Sequence, residues 1–452
     1  MRPTLSCARI VFGVFTLSLS SLACTPPCAS GDDACRLSAA EWDLVETMSP
    51  LPEIPEDRTN RYQFNEAAAA FGQKIFFEKR YAGALKVGDN GANGGLGAKG
   101  EEDKVSCFSC HDIKAGWVDT RSIPGNMSLG SAYTTRNAPT LLNLPFYKWW
   151  GWGGRHDSMW QQASLAIETG TDTAADRCDF AHFVWEFYRD EYNTVFVDTP
   201  LPAELDPTHA NAARFPAKCK PKANAMAPDG PWEMMSAEDR RPIMQILANQ
   251  GKALVAFETK LVMKNAPFDK WVAGGEDAIS EAAKRGLKLF VGKAACSDCH
   301  AGSTFSDSEF HNIGVPQEGP NVPAADPGRF ADITIYKNHP FNSSSAFNDA
   351  PELNRAASYR PAEDADRGKF RTPTLRNIAI TGPYMHTGNF ETLSAVVAFY
   401  NKGGGSTGFD GSKSSRLRPL NLSDDEMSDL VAFLHTLTGE PLPEELTRNP
   451  LE

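Results

Sequence analysis

Two short stretches decide the fold of this chain: Cys107-Phe-Ser-Cys110-His111 and Cys296-Ser-Asp-Cys299-His300. In each stretch two residues separate the cysteines, and a histidine follows the second cysteine directly. At this spacing the two thiols reach the two vinyl groups of one porphyrin, and the histidine binds the iron from one face. One copy alone would also fit half of a zinc site. Two copies in one chain, each after a similar helix, predict two covalently attached c-type haems.

The segments that precede the two motifs resemble each other. Asn65 and Ser280 are suitable helix N-caps, and each is followed by Glu-Ala-Ala. The predicted helices then share a glycine, a lysine and a final phenylalanine: Gly72, Lys74 and Phe76 in the first, and Gly286, Lys288 and Phe290 in the second. This weak internal repeat predicts two related haem domains.

The remaining pattern favours a mostly α fold built from cytochrome c-like domains with long loops. A long helix is predicted from Ser236 to about Met263. The last helix begins with the capping box Ser423–Glu426 and is predicted to end at Gly439. Hydrophobic residues make up 41% of the chain, which is enough for two cores.

Loops and domain limits follow from composition. Residues 82–103 are rich in Gly and Asn and form an insertion between the first helix and the first motif. Residues 301–370 are rich in Pro, Asn and Asp and are predicted to be loop-like. We expect a first haem domain over residues 56–275 and a second over residues 276–442.

The N-terminus predicts export to the periplasm. Residues 1–23 combine two arginines with an apolar run that is too short to span a membrane, which is typical of a signal peptide. Lipidation of Cys24 and ordinary cleavage nearby both stay open. Residues 24–55 are predicted to be a linker. The net charge of -12 offers no basic surface to nucleic acid or anionic lipid, so membrane contact is expected only through a lipid anchor.

Cysteine usage agrees with export. The chain has ten cysteines, of which four belong to the haem motifs and Cys7 to the signal. If Cys24 carries a lipid, the remaining four can pair as Cys28–Cys35 and Cys178–Cys219. Disulfides of this kind are typical of exported proteins.

Segments around both motifs carry a resemblance to a known family. They lie between residues 60 and 440 and are Phe71-Gly-Gln-Lys-Ile-Phe-Phe77, Ser106–Asp112, Arg136-Asn-Ala-Pro-Thr140, Leu289-Phe-Val-Gly-Lys293, Phe310-His-Asn-Ile-Gly314, Phe370-Arg-Thr-Pro-Thr-Leu-Arg-Asn377 and Thr381-Gly-Pro-Tyr-Met-His386. Together they resemble the bacterial di-haem cytochrome c peroxidases and their relative, the methylamine-utilisation enzyme MauG. The resemblance implies a peroxidatic first haem and an electron-transfer second haem. It also implies that hydrogen peroxide is reduced to water with electrons from a small cytochrome or copper protein.

The resemblance assigns an acid and an amide to the peroxidatic pocket. The peroxidases carry a Gln there and, ten residues later, a Glu; Gln162 and Asp172 fall on these positions. A carboxylate at this place moves a proton from the near to the far peroxide oxygen. Asp is one CH2 shorter than Glu, so Glu168 is kept as a substitute. The alternative for Asp172 is a solvated loop acid or helix cap.

The same comparison implies an open first haem. The peroxidases close this haem with a distal histidine that would fall near Ser131, but residues 112–155 contain no histidine. We therefore expect a five-coordinate first haem, as in MauG. Met127 and His156 are the remaining candidates for a sixth ligand. For His156, beside two charged residues, an ordinary surface position is the main alternative.

The second haem is expected to carry a tyrosine ligand. In the peroxidases a Met lies fourteen residues after the His of the Pro-Tyr-x-His segment, and here that position is Tyr400. MauG also uses Tyr, whose anionic oxygen favours ferric iron. Trp152 aligns with the Trp between the haems, although a packed aromatic is the alternative. MauG has a further Trp where this chain has Ala294.

The resemblance also implies a candidate calcium site at the joint between the domains. Asn137, Thr381 and Pro383 match its ligand positions, and neutral oxygen ligands with waters suit this ion. Plain backbone packing at a domain joint is the alternative. For the whole chain, three hypotheses stand: a periplasmic peroxidase, a MauG-like enzyme that oxidises a protein partner, and a plain di-haem electron carrier.

Overall fold

The structure is a computed structural model that describes residues 35–88, 95–121 and 127–452. Its regular elements are mostly helical, as predicted. The helices are α1 (Ala39–Glu46), α2 (Glu66–Phe77), α3 (Met159–Glu168), α4 (Arg177–Val195), α5 (Pro231–Met234), α6 (Ala237–Glu258), α7 (Pro267–Val272), α8 (Glu281–Val291), α9 (Arg329–Asn338), α10 (Leu393–Asn401), α11 (Asp424–His435) and α12 (Glu444–Thr447). The strands β1 (Phe310–His311) and β2 (Phe370–Arg371) pair antiparallel.

The first core is built around a close crossing of α2 and α6. A Cβ atom added to Gly72 would lie 2.0 Å from the carbonyl oxygen of Ala253, so only glycine permits this approach. The side chain of Asn65 accepts a hydrogen bond from the backbone N–H of Ala68, which confirms the predicted cap of α2. Helix α3 packs on the other side of α6, where Gly251 meets Ser164.

The second core repeats this arrangement with α8 and α11. A Cβ atom added to Gly286 would lie 1.9 Å from the carbonyl oxygen of Asp429. The side chain of Ser280 caps α8, and Ser423 forms a capping box with Glu426 at the start of α11, both as predicted. The crossing of a glycine-bearing helix over a later helix therefore recurs in both halves, which agrees with the internal repeat in the sequence.

Two predicted limits are wrong where the structure describes them. The predicted linker over 24–55 is folded from residue 35 onwards, because Trp42 and Val45 of α1 are buried in the second core. The ring of Trp42 meets that of Trp271 edge-on at 5.5 Å. Trp271 and Phe268 belong to the same core, so the second core begins before the predicted boundary at residue 276.

The region predicted to be loop-like, 301–370, contains α9 and also connects the two halves. The buried face of α9 includes Arg329 and Asp332, so its pattern is not apolar and the sequence did not reveal it. Arg136 binds Asp326 at 2.7 Å and Asp332 at 2.6 Å. The ring of Phe341, from the same region, lies in the first core.

Helix ends were predicted less well than helix starts. Helix α6 begins after Ser236 as predicted but ends at Glu258 rather than Met263. Helix α11 ends at His435 rather than at Gly439. Thr259 and Thr436 occupy the C-cap positions of these two helices.

The predicted disulfide Cys178–Cys219 is present and closes 41 residues of the first domain. Cys35 is also disulfide-bonded; its predicted partner, Cys28, lies outside the described residues, as do the predicted signal peptide and Cys24. Among the helices that the structure describes, none is both long and apolar enough to cross a membrane.

Candidate haem sites

The first Cys-x-x-Cys-His motif forms a tight turn that presents its histidine to one side. The backbone N–H of His111 donates to the carbonyl of Cys107 at 3.0 Å, which closes the turn. The ring atom Nδ1 of His111 lies 3.1 Å from the carbonyl oxygen of Trp117. Because a carbonyl can only accept, Nδ1 carries the proton and Nε2 keeps its lone pair. This is the tautomer that an iron ligand needs.

The second motif has the same geometry. The N–H of His300 donates to the carbonyl of Cys296 at 2.9 Å, and Nδ1 donates to the carbonyl of Phe305 at 2.8 Å. Its Nε2 is therefore also available to a metal. Burial lowers the pKa of both motif histidines, which keeps both rings neutral.

The thiols fit covalent attachment. Cys107, Cys110, Cys296 and Cys299 are all free. The three other cysteines that the structure describes are disulfide-bonded. Free thiols beside these described disulfides suit addition to porphyrin vinyl groups.

A cavity of about 450 Å³ adjoins the second motif, a size typical of cofactor sites. Arg371 lines it and is 5% exposed, yet its Nε has no hydrogen-bond partner. Its guanidinium lies 4.0 Å from the ring centre of Tyr147, and it forms no ion pair with a carboxylate of any described residue. A buried cation of this kind needs an anionic partner. The propionate groups of a haem provide one, so the residues present fit the group.

Tyr400 lines the same cavity as Cys296, Cys299 and His300. It lies on α10, and its hydroxyl makes no hydrogen bond to another described residue. Burial raises the pKa of Tyr400, so the phenol is neutral unless a nearby cation stabilises its anion. Ala294 also borders this cavity, where MauG carries its further Trp.

The loop after the first motif brings Ser131 beside Asp172. The N–H of Ser131 donates to the carbonyl of Asp172 at 2.7 Å, and its hydroxyl donates to the carbonyl of Gly170 at 2.8 Å. A Cβ atom on the neighbouring Gly130 would lie 2.7 Å from the same Asp172 oxygen, so the two loops touch backbone to backbone. The position where the peroxidases carry a distal histidine is therefore fixed next to the predicted acid.

Asp172 borders the first haem motif. Its charge acts on the thiols of both Cys107 and Cys110. Burial raises the pKa of Asp172, while the Arg155 guanidinium and a hydrogen bond from the Thr171 hydroxyl oppose the rise. Asp172 is half-buried, and its carboxyl does not cap a helix in the structure.

Gln162 lies on α3, on a half-exposed stripe that it shares with Leu165, Ala166 and Thr169. Its side chain has no hydrogen-bond partner among the described residues. Glu168, the substitute acid, is held by Arg177 through bonds of 2.6 and 2.7 Å, so its carboxylate is already occupied.

The two candidate sixth ligands are both buried, each 1% exposed. His156 is therefore buried, whereas its charged sequence neighbours suggested a surface position. Its Nε2 accepts a hydrogen bond from Nε of Arg155 at 3.2 Å, and its ring meets that of His339 at 6.1 Å. Met127 lies four residues before Ser131 in the chain.

Trp152 lies at the joint between the two halves. Its Nε1 donates to the carbonyl of Asn137 at 2.7 Å, and its ring meets that of His386 at 6.3 Å. The backbone N–H of Asn137 donates to the carbonyl of His386 at 2.7 Å. Trp152 and the three candidate calcium ligands, Asn137, Thr381 and Pro383, all line the cavity of the second motif.

Comparison with known proteins agrees with this geometry. The family described as di-haem cytochrome c peroxidase matches residues 66–215. Cytochrome-c peroxidase IdrP1 of Denitromonas iodatirespirans is 31% identical over 415 residues, which cover 90% of each chain. The chain belongs to the di-haem cytochrome c peroxidase family.

Other members of the family extend the likeness. Methylamine utilization protein MauG of Methylorubrum extorquens is 28% identical and covers 93% of this chain and 92% of its own. A solved structure of a MauG-like protein associated with microbial copper homeostasis shares the fold with a TM-score of 0.59 at 23% identity, over 89% of this chain and 99% of that chain. The mostly α di-haem fold predicted from the sequence is thus confirmed.

Three residues of these peroxidase-type sites were missed by sequence reasoning. Arg371 lies inside the Phe370–Asn377 segment, but the sequence assigns it no role, because its lack of an acidic partner is a property of the fold. Arg155 and His339 are 184 residues apart and meet only in three dimensions. A Gly-Gly-Arg-His run after three tryptophans was the available signal for Arg155.

Proposed function

We propose that this chain is an exported peroxidase that reduces hydrogen peroxide to water with two electrons from a small cytochrome or copper protein. Cys107, Cys110 and His111 hold the first haem c, and the matching residues of the second motif hold the other. The bound haems supply the redox chemistry, one toward the donor and one toward peroxide. The protein supplies binding, orientation and proton movement.

The observation that carries this proposal is the contact between Ser131 and Asp172. The Ser131 hydroxyl already donates to the carbonyl of Gly170, and this supports a first haem with an open face for peroxide. The same contact holds the backbone of Asp172 beside Ser131, which supports a role for its carboxyl at that face. An open face with an adjacent acid is what a peroxide site needs and what a plain electron carrier does not.

Asp172 transfers the proton that moves during peroxide cleavage. Its carboxylate takes a proton from the near oxygen of bound peroxide and returns it to the far oxygen, which leaves as water. The raised pKa of this carboxyl brings it closer to the pH at which it must both accept and release. Gln162 presents an unbonded amide that orients the peroxide.

Electron transfer between the domains is assigned to Trp152, and Tyr400 is assigned as the ligand of the second iron. Trp152 is fixed at the joint through Asn137, and both residues line the cavity that Tyr400 also borders. The export signal predicted over residues 1–23 supports a periplasmic location for this activity.

A calcium ion at the joint belongs to the same proposal. Asn137, Thr381 and Pro383 line the same cavity and carry neutral oxygen atoms, which are ligands that this ion accepts together with waters. Chelator treatment should then lower the melting temperature, and addition of calcium should restore it. A melting curve that ignores both additions would remove the ion from the proposal.

Oxidation of a protein partner, as in MauG, is the second candidate function. Tyr400 in the second cavity favours it, because a phenolate ligand stabilises oxidised iron. Ala294, at the position of the further Trp of MauG, argues against the same route.

The experiment is an EPR and optical spectrum of the diferric protein before and after one equivalent of peroxide, without reductant. A high-spin haem that reacts at once supports the open first site. Rapid return to the starting spectrum with a donor then indicates the peroxidase, and a long-lived oxidised state indicates the MauG-like route. Two low-spin haems that ignore peroxide would overturn both.

A further inference from the structure

Buried hydrogen-bond donors lie near Arg155 and at the start of α3. His156, Gln161 and His339 are 1%, 0% and 8% exposed. Each has one side-chain nitrogen without a hydrogen-bond partner: Nδ1 of His156, Nε2 of Gln161 and Nε2 of His339. We call these four residues the donor cluster.

Neighbouring groups fix which nitrogen of each histidine carries the proton. Nε of Arg155 donates to Nε2 of His156 at 3.2 Å, so the proton of His156 is on Nδ1. The N–H of Phe341 donates to Nδ1 of His339 at 3.0 Å, so the proton of His339 is on Nε2. Burial lowers the pKa of both histidines, that of His339 to about 4, which keeps both rings neutral. Both unpartnered nitrogens are therefore donors.

Gln161 adds a third donor on the same turn. Its Oε1 accepts a hydrogen bond from the backbone N–H of Asp157 at 2.9 Å, which leaves its NH2 group unpartnered. The Asp157 carboxylate does not serve as the missing acceptor, because its oxygens already accept from the N–H and hydroxyl of Ser343. The cluster thus has donors without acceptors.

The charge of the cluster is also unbalanced. The rings of His156 and His339 are 6.1 Å apart, and the Arg155 guanidinium is close enough to lower the pKa of both. Arg155 also acts on Asp172, but it forms no ion pair with a carboxylate of any described residue. A cation surrounded by neutral donors favours a negative ligand over water. A water molecule would bring further O–H donors, whereas an anion supplies only acceptors.

We propose that the donor cluster binds one anion, either a free inorganic anion or a carboxylate of the haem held by Cys107 and Cys110. The two sources share one chemistry, a negative acceptor that satisfies several buried N–H groups at once. The site lies beside the predicted peroxide acid but does not need peroxide turnover. A negative result for this anion site would therefore not contradict the proposed peroxidase function.

The test uses the holoprotein with bromide as the probe, at constant ionic strength set with sodium gluconate. A free anion raises the melting temperature as bromide increases, because a ligand that binds only the folded state stabilises it. Bromide then also gives an anomalous scattering peak at the cluster in crystals. His156→Phe, which removes the Nδ1 donor, loses both effects, and His156→Asn, which keeps a donor nearby, retains them.

A haem carboxylate gives a different result. The melting temperature then ignores bromide, and the reduction potential of the first haem shifts in His156→Phe and returns toward wild type in His156→Asn. If His156→Phe does not fold, His339→Phe and His339→Gln replace the pair. His435→Phe, at an exposed position, is the control for the substitution itself. A melting temperature that ignores bromide, together with an unchanged potential in the Phe variant, would overturn the proposal.

Discussion

The backbone N–H of Ser131 donates to the carbonyl of Asp172 at 2.7 Å, and this bond joins two loops whose bonded residues are 41 positions apart. The contact is close because Gly130 has no Cβ atom to separate the backbones. Its consequence is that the acid next to the first haem motif is held by main chain rather than by side-chain packing. A change of the Asp172 side chain should therefore leave the loop in place.

Asp172→Asn should slow peroxide cleavage by about 10²–10⁴-fold while both haems stay bound. Asparagine keeps the shape and the backbone contacts but does not take up a proton. Stopped-flow mixing of the diferric protein with peroxide measures the effect. Asp172→Glu tests reach, because it restores the longer acid of the related peroxidases and should retain most of the rate. A full-speed Asn variant would assign the proton to another group.

The rate should fall on the acid side of neutrality. Burial raises the pKa of Asp172, so its active carboxylate form exists only above that raised value and is lost as the pH falls through it. The acid limb of the pH–rate profile should thus lie above the ordinary pKa of an aspartate, which is about 3.9. Arg155→Gln removes a cation that lowers this pKa, so the limb should move to higher pH. A limb that persists in Asp172→Asn would belong to a different group.

Tyr400→Phe should change the optical and EPR spectra of the second haem and leave those of the first unchanged. The hydroxyl that is lost has no hydrogen-bond partner among the described residues, so its removal acts through the iron. Tyr384→Phe is a matched control, because Tyr384 lines the same cavity but its hydroxyl donates to the carbonyl of Ile378 at 3.0 Å. If the two variants give the same spectra, Tyr400 is not a ligand.

Local rules predicted the parts of the fold that depend on neighbouring residues. The caps at Asn65, Ser280 and Ser423 were all correct, because a capping side chain bonds to a backbone N–H three residues away. The roles of His111 and His300 were predicted from the spacing between the cysteines and the histidine, which is also a local feature of the sequence. The end of α6 was missed because the apolar pattern continues past Glu258, where the chain turns.

Tertiary contacts determine what the sequence did not reveal. The residues around Trp42 have a linker-like composition, and contacts such as that with the Trp271 ring show that they are part of the second core. His156 has charged neighbours on both sides and is nevertheless buried, because the segment around His339 covers it. Neither relationship has a periodic signal, so neither was predictable from pattern alone.

The two glycine crossings predict separable effects on the two domains. A Cβ atom at Gly72 or Gly286 would lie 2.0 or 1.9 Å from a backbone oxygen of the facing helix, so each helix pair must move apart. Gly72→Ala should lower the free energy of unfolding by about 1–3 kcal/mol or more and alter the first haem's spectrum. Gly286→Ala should do the same for the second haem.

Thermal melting followed separately at the absorption of each haem checks this prediction. Gly230→Ala is the control, because its Cβ atom would meet only Oε2 of Glu233, at 3.6 Å, and alanine should be tolerated there. Each crossing belongs to a different core, so the variant in one domain should leave the other haem's spectrum unchanged. If Gly72→Ala instead perturbs both haems equally, the two cores unfold as one unit, and the halves are not independent haem domains.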